Sequence, residues 1–156
     1  VRTIDYTYDA VGNRLTRTDS ETGLTEYVYD ANDRLLQAGG TQFEYDPKGN
    51  LIRKLSAGFD RSYVYDARNR LVMADDGQVV VEYTYDMDGN RVATTIGEDV
   101  QRFVWDTRTG VSRLVQVTDN AGQELARYVH GADLISQRTG EGQHYYVYDG
   151  QLSTGT

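Results

Sequence analysis

The sequence predicts an all-β chain: tandem antiparallel β-hairpins of about 20 residues each, forming a curved, spiralling sheet. Three observations carry that prediction. A ten-residue phrase recurs along the chain. Two aromatic residues stand two positions apart near the start of each copy. An Asp-x-x-Gly turn, or a close variant, follows them.

The copies come in order. Tyr6 to Leu15 reads YTYDAVGNRL, Tyr27 to Leu36 YVYDANDRLL, and Phe43 to Ile52 FEYDPKGNLI. Tyr63 to Val72 reads YVYDARNRLV, and Tyr83 to Val92 YTYDMDGNRV. Shorter echoes are FVWD at Phe103–Asp106, YVHG at Tyr128–Gly131 and YVYD at Tyr146–Asp149. The motif aspartates are Asp9, Asp30, Asp46, Asp66, Asp86, Asp106 and Asp149. Their first five intervals are 21, 16, 20, 20 and 20 residues. A unit of that length holds two strands and two turns, and is too short for a pair of packed helices.

The ring positions define the first strand of each unit. Fifteen of the 17 aromatic residues fill the two slots: Tyr6 and Tyr8, Tyr27 and Tyr29, Phe43 and Tyr45, Tyr63 and Tyr65, Tyr83 and Tyr85, Phe103 and Trp105, Tyr128, and Tyr146 and Tyr148. Residues two apart on a strand share a face, so the paired rings form an aromatic side. Stacked unit on unit, they predict a ladder of rings whose hydroxyls stay wet or bond neighbouring backbone. Mostly β-branched residues lie between the slots, which suits a strand.

Turn chemistry comes next. Three residues after the Asp stand Gly12, Asp33, Gly49, Asn69 and Gly89, types that accept positive φ at low cost. The spacing predicts a type I turn closed by a left-handed residue, with the Asp bonding backbone amides beyond it. Gly110 comes one residue late after Asp106 and predicts a longer loop. A second set of turns joins unit to unit, at Glu21–Gly23, Ala38–Gly40, Ala57–Gly58, Asp75–Gly77, Gly97–Asp99, Asn120–Gly122 and Gly140–Gly142. Together they give a meander of about 16 strands. Arg14, Arg34, Arg70 and Arg91 follow the motif turns and are expected to pair with acids across strands.

This phrase resembles the tyrosine-aspartate repeat of the Rhs/YD-repeat family, over nearly the whole chain and most clearly from Tyr6 to Val92. The family includes bacterial Rhs and wall-associated proteins, the C components of Tc toxins, and teneurins. The resemblance implies hairpins winding as one sheet around a hollow, which in toxin members encloses a C-terminal toxic domain. It implies residues 1–156 as a single array of about eight units, a fragment of a longer repeat protein. Its partners are then further YD repeats of the same parent, a toxin cargo, or a surface glycan or protein. The location implied is secreted or cell surface. A carbohydrate-binding adhesin or fibre, self-associating through open edges, is the other reading.

Composition narrows the function. A net charge of −8, with the acids spread through turns, disfavours nucleic acid and anionic membranes as partners. No membrane-length apolar run is present, and there is no Cys, so no disulfide or thiol chemistry. The residues point to no enzyme, no cofactor and no metal. His130 fills an aromatic slot and His144 borders a Gly-rich turn, so neither reads as a catalytic base. Asp46-Pro47-Lys48-Gly49 matches four letters of the family's self-cleavage motif but sits in an ordinary repeat turn. Asp86-Met87-Asp88-Gly89-Asn90 has the Asp-x-Asp of a calcium loop, but its Gly comes too early and no closing Glu follows.

Overall fold

A computed structural model describes residues 1–131, 133–148 and 154–155. The chain divides into two compact units, Val1–Val80 and Val81–Thr156. All regular structure among the described residues is β. Asp149 lies outside the described residues.

The first unit holds eight strands: β1 (Ile4–Tyr8), β2 (Arg14–Asp19), β3 (Gly23–Tyr29), β4 (Leu35–Ala38), β5 (Thr41–Tyr45), β6 (Leu51–Ser56), β7 (Phe59–Tyr65) and β8 (Leu71–Asp75). Each pairs antiparallel with the next in chain order. The second unit continues with β9 (Val80–Tyr85), which starts on the last residue of the first unit. It then runs through β10 (Arg91–Ile96), β11 (Asp99–Asp106), β12 (Arg113–Thr118), β13 (Glu124–His130), β14 (Leu134–Thr139) and β15 (Gly142–Tyr145). From β9 to β15 the pairing again follows chain order. Two short strands, β16 (Val147–Tyr148) and β17 (Thr154–Gly155), pair with each other.

Each unit is a meander with little interior. Among the described residues only Ala93, Val117 and Ala126 are buried hydrophobics, and Asp19 and Ser136 buried polar residues. The strands bury one face by halves. Slot rings from Tyr27 to Tyr146 are partly covered, while the residues between them (Val28, Glu44, Val64, Thr84, Val104 and Val129) are exposed.

The motif turns have the expected form. In the first unit of repeat the Asp9 amide donates to Asn13 O (2.9 Å) and the Gly12 amide to Asp9 O (3.3 Å). The same pair of bonds recurs at Asp30, Asp46, Asp66 and Asp86. The third residue after Asp is left-handed in all five, with φ 97, 60, 90, 61 and 93° at Gly12, Asp33, Gly49, Asn69 and Gly89.

A β-bulge stands in each of the seven hairpins that begin on a ring-bearing strand, from β1–β2 to β13–β14. Thr7 faces Thr16 and Tyr8 faces Arg14, so Leu15 is left over. Leu36, Ile52 and Val72 are left over in the same way, as are Val92, Val115 and Ile135 in the second unit. The extra residue always lies opposite the second ring slot and is always aliphatic. A bulge bends its strand and increases the local twist. The signal was present in the sequence: two consecutive residues, such as Leu35-Leu36 or Leu51-Ile52, interrupt strict alternation at one fixed place.

Asp119-Asn120-Ala121-Gly122 repeats the device at the opposite end of a hairpin. The Asp119 amide donates to Gln123 O (2.9 Å), the Gly122 amide to Asp119 O (3.1 Å), and Leu125 is left over six residues after the Asp. Turn and bulge therefore also occur together where no ring pair precedes the Asp-x-x-Gly phrase.

Deleting Ile52 should force β6 to slip or to turn its faces over. We expect lost amide protection across β5–β6 in hydrogen exchange and a lowered melting midpoint. Deleting Thr109, in the long loop after β11, should leave the midpoint within a few degrees. Equal melting of the two deletions would show that the bulge residue is dispensable.

Candidate functional site

The repeated element of this chain is the motif carboxylate, and its geometry is nearly the same five times. Asp46 Oδ1 accepts the amides of Lys48 and Asn50, both at 2.9 Å, and Oδ2 accepts Asn50 Nδ2 at 2.9 Å. Asp9 does the same with Val11, Asn13 and Asn13 Nδ2 (3.0, 2.8 and 3.1 Å). Asp86 uses Asp88, Asn90 and Asn90 Nδ2 (3.0, 2.8 and 2.9 Å). In Asp30 and Asp66 the third donor is an arginine Nε, from Arg34 or Arg70, at 2.7 Å. One side chain thus holds both the turn and the first residue of the return path.

These donors favour the ionised form. The Asn50 and Asn90 carboxamides, foremost, hold Asp46 and Asp86 below the usual carboxylate range. For Asp30 and Asp66 the chief cause is the backbone amide of Arg34 or Arg70, followed by its guanidinium after the opposing effect of burial. At Asp9 burial is the largest influence and pushes upward, but the Asn13, Val11 and Gly12 bonds together outweigh it. Asp106 is lowered to about 2, first by the Arg108 side chain. Glu124 falls to about 2 between Arg127 and Arg138. Carboxyls so placed are weak proton acceptors near neutrality. Asp46 and Asp86, the residues of the cleavage-like and calcium-like sequences, are occupied by these turn bonds.

Two versions of the turn alternate. Gly12-Asn13, Gly49-Asn50 and Gly89-Asn90 form one; Asp33-Arg34 and Asn69-Arg70 form the other. In the first unit they are bonded to each other. Asn13 Nδ2 donates to Asp33 Oδ1 (2.8 Å), and Asn50 Nδ2 to Asn69 Oδ1 (3.2 Å). Arg34 Nη1 reaches Asp46 O (3.4 Å) and Lys48 Nζ reaches Ala67 O (3.3 Å). The Gly in one version permits a φ near 90°, whereas Asp33 and Asn69 sit near 60° and supply the acceptor. The structural period here is two hairpins, not one.

The expected ladder of rings needs correction. A return strand lies between one ring-bearing strand and the next, so successive rings stand two strand spacings apart, roughly 10 Å. Cations fill that gap. The Arg14 guanidinium lies 5.6 Å from the Tyr6 centroid and 4.2 Å from Tyr27. Arg91 lies 5.6 Å from Tyr83 and 4.8 Å from Phe103, and Lys54 stands 5.7 and 5.5 Å from Phe43 and Phe59. The Tyr6–Tyr8 ring contact, at 6.4 Å, is within one strand.

The arginines also divide by position. Arg34 and Arg70, four residues after the Asp, pair with the aspartate of their own turn at 2.7 Å rather than across strands. Arg14 and Arg91, five residues after it, lie over rings, and Arg34 also stands 5.3 Å from the Tyr45 centroid.

The second ring slot carries a polar tip that ties one hairpin to the one before. Tyr45 Oη donates to Leu35 O (2.9 Å), and Trp105 Nε1 to Arg91 O (2.9 Å). His130 Nε2 stands 2.7 Å from Leu114 O, so the histidine does the same job. Tyr29, Tyr63, Tyr65, Tyr83 and Tyr85 lie half-covered in their strands. Tyr146 Oη donates to Gln137 Oε1 (2.7 Å). Tyr148 is on β16, and His144 is exposed on β15.

Sequence reasoning missed the buried Asp19. At 2% exposure, it is clasped by the Arg2 and Arg17 guanidinium groups, and its Oδ1 accepts the Glu21 amide (3.0 Å). The Arg2 bond, first, holds it well below the usual range. Arg2 and Asp19 meet through the β1–β2 register, for which no local pattern gives a signal.

Comparison with known proteins now places the chain. The Teneurin YD-shell family pattern matches residues 2–154. The chain belongs to the YD-shell family. It is 32% identical over 144 residues to the double-stranded DNA deaminase toxin A of Burkholderia cenocepacia, covering 83% of this chain and 9% of that protein. It is 26% identical over 152 residues to the tRNA3(Ser)-specific nuclease WapA of Bacillus spizizenii, covering 94% of this chain and 6% of that one. The chain therefore spans under a tenth of the length of either relative. Its fold is similar to the Photorhabdus luminescens Tc holotoxin pore (TM-score 0.68, 14% identity, 92% of this chain and 9% of that chain). It is equally similar to TcdB2-TccC3 without its hypervariable C-terminal region (TM-score 0.68, 14% identity, 99% and 10%). Among the described residues no helix is long and apolar enough to cross a membrane.

Tyr45→Phe removes one bond and little volume, and should cost about 0.5–1.5 kcal/mol in denaturant melts. No loss would remove the inter-hairpin tie from the account. A second expectation concerns acid. The folded-state values of these carboxyls lie below their unfolded ones, so their contribution is complete above about pH 5 and is lost as pH falls. The melting midpoint should hold from pH 7 to about 5, then decline toward pH 2, where Asp106 and Glu124 protonate. A midpoint that rises on acidification would contradict the assignment.

Proposed function

We propose that this chain is a stretch of wall in a secreted or cell-surface YD-repeat protein of Rhs type. In this reading residues 1–156 are about eight units of a longer array, and the wall encloses a C-terminal toxin or other cargo. The observation that carries it is where the polar groups go. Motif carboxylates are bonded to their own turns, ring tips to the preceding hairpin, and several arginines to rings on neighbouring strands. Those groups serve the sheet itself, as a wall requires. Recurring bulges suit curvature. Membership of the YD-shell family supports the reading. So do two relatives whose names state activities on nucleic acid, since most of their length lies outside the part this chain matches. Catalysis would then belong to other segments of such a protein, and no residue here is assigned to it.

The carbohydrate-binding reading gains nothing from the geometry. Tyr27 and Phe103, which could stack on sugars, face guanidinium groups of the array itself.

Limited proteolysis of the full parent protein tests the proposal. Its C-terminal segment should resist protease while the repeats are folded, and become sensitive when acid or denaturant opens them. A segment cut as fast in the folded parent as in isolation would refute enclosure.

A further inference from the structure

The β11–β12 hairpin closes differently from the five motif hairpins. In those, the Asp amide bonds the carbonyl four residues on, as Asp46 does with Asn50 and Asp66 with Arg70 (both 2.9 Å), so three residues are enclosed. Asp106 instead pairs with Arg113, and six residues, 107–112, lie between them. All six are exposed. The carboxylate is engaged differently as well. Asp46 Oδ1 and Asp66 Oδ1 each accept the amide of the residue four on (2.9 and 3.0 Å), which ties down the return path. Asp106 holds Arg108 instead: Oδ1 accepts its amide and Nε (3.0 and 2.9 Å), and Oδ2 its Nη2 (2.9 Å). Among the described residues no carboxylate bond reaches the second half of this loop.

Three basic residues stand two places after a motif Asp: Lys48, Arg68 and Arg108. Lys48 and Arg68 sit in locked three-residue turns, and only Arg108 sits in the open loop. Its side chain is 87% exposed. Its pairing with Asp106 is a surface ion pair, which another carboxylate can replace at little cost. Arg127 and Arg138 are also exposed, but they lie within the paired strands β13 and β14. A protease draws out the chain on both sides of the bond it cuts, which is easiest in an exposed loop free of strand pairing.

We propose that residues 107–112 are a processing site for a protease of trypsin-like specificity, cut between Arg108 and Thr109, and that the product is a two-chain sheet that stays assembled. The Arg108 guanidinium enters the acidic pocket such a protease offers a long cationic side chain. Water adds across the Arg108–Thr109 amide and leaves a carboxylate on Arg108 and an ammonium on Thr109. The cut falls outside the ladder. β11 and β12 still pair at five positions, from Arg102–Thr118 to Asp106–Arg113, with the buried Val117 opposite Phe103. The assignment does not depend on what the parent protein encloses.

The test is limited trypsin digestion of the folded 156-residue chain, with each cut located by mass spectrometry. Where opening is faster than cleavage, the rate follows the population of opened chain. The first cut that divides the sheet should therefore fall after Arg108, ahead of Lys48 and Arg68. The two pieces should co-elute at the size of the uncut chain and keep the emission of Trp105, the single tryptophan. Arg108→Gln should remove that cut and leave the first dividing event about tenfold slower or more. Arg108→Lys should restore it for trypsin but not for an arginine-specific protease. Replacing residues 107–112 by Ala-Arg-Asn keeps an arginine two places after Asp106 and recreates the phrase of Asp66–Val72. This variant should melt no lower than the original, which checks its folding, and be cut there no faster than at Arg68. The proposal is overturned by a first dividing cut elsewhere, by an unchanged rate in Arg108→Gln, by equal cutting of the shortened turn, or by pieces that separate once cut.

Discussion

A sheet with so little interior must be held at its bends, and at five of them a single motif carboxylate does so. The motif aspartate binds two amides and one side chain within four residues of itself. It thereby closes the turn, sets a left-handed residue and delivers the chain into the bulge. In a packed domain such local bonds would be secondary to the core. With three buried hydrophobic residues among those described, they carry much of the specification. The amides they satisfy would otherwise need water at an edge where the chain reverses.

The bulge links that turn to the rings. By inserting an aliphatic residue opposite the second slot, it places the residue before it on the ring side. Arg14 consequently rises between Tyr6 and Tyr27, and Arg91 between Tyr83 and Phe103. A cation between two rings gains from both faces and from partial exclusion of water, at roughly 0.5–2 kcal/mol per contact. Aromatic content thus stabilises the array without a second layer to cover it. The polar tips of Tyr45, Trp105 and His130 add a tie from each of their hairpins to the one before. That one slot accepts three different rings shows that the requirement is a flat group with a polar end at the right reach.

Alternation of turn types adds a second order of repeat. Gly-Asn turns donate and Asp-Arg or Asn-Arg turns accept, so adjacent units in the first half are complementary rather than identical. The sequence displays both versions, but their correlation acquires meaning only when the turns are seen side by side. The same holds for Asp119: its Asp-x-x-Gly phrase is plainly written, yet the absence of a preceding ring pair disguised it as a connecting turn.

Strand period, turn positions, the five left-handed residues and membership of the YD-repeat class were legible from the sequence alone. Each depends on residues within about six positions of one another, where backbone geometry leaves few alternatives. Tertiary structure decided what depends on register. Examples are the bulge partners, the rings on either side of Arg14, the bond from Asn13 to Asp33, and the clasp of Arg2 on Asp19, whose partners stand 20 and 17 residues apart. Local chemistry fixes how this chain bends; which side chains then meet follows from how far each strand runs before the next bend, and one inserted residue is enough to change that.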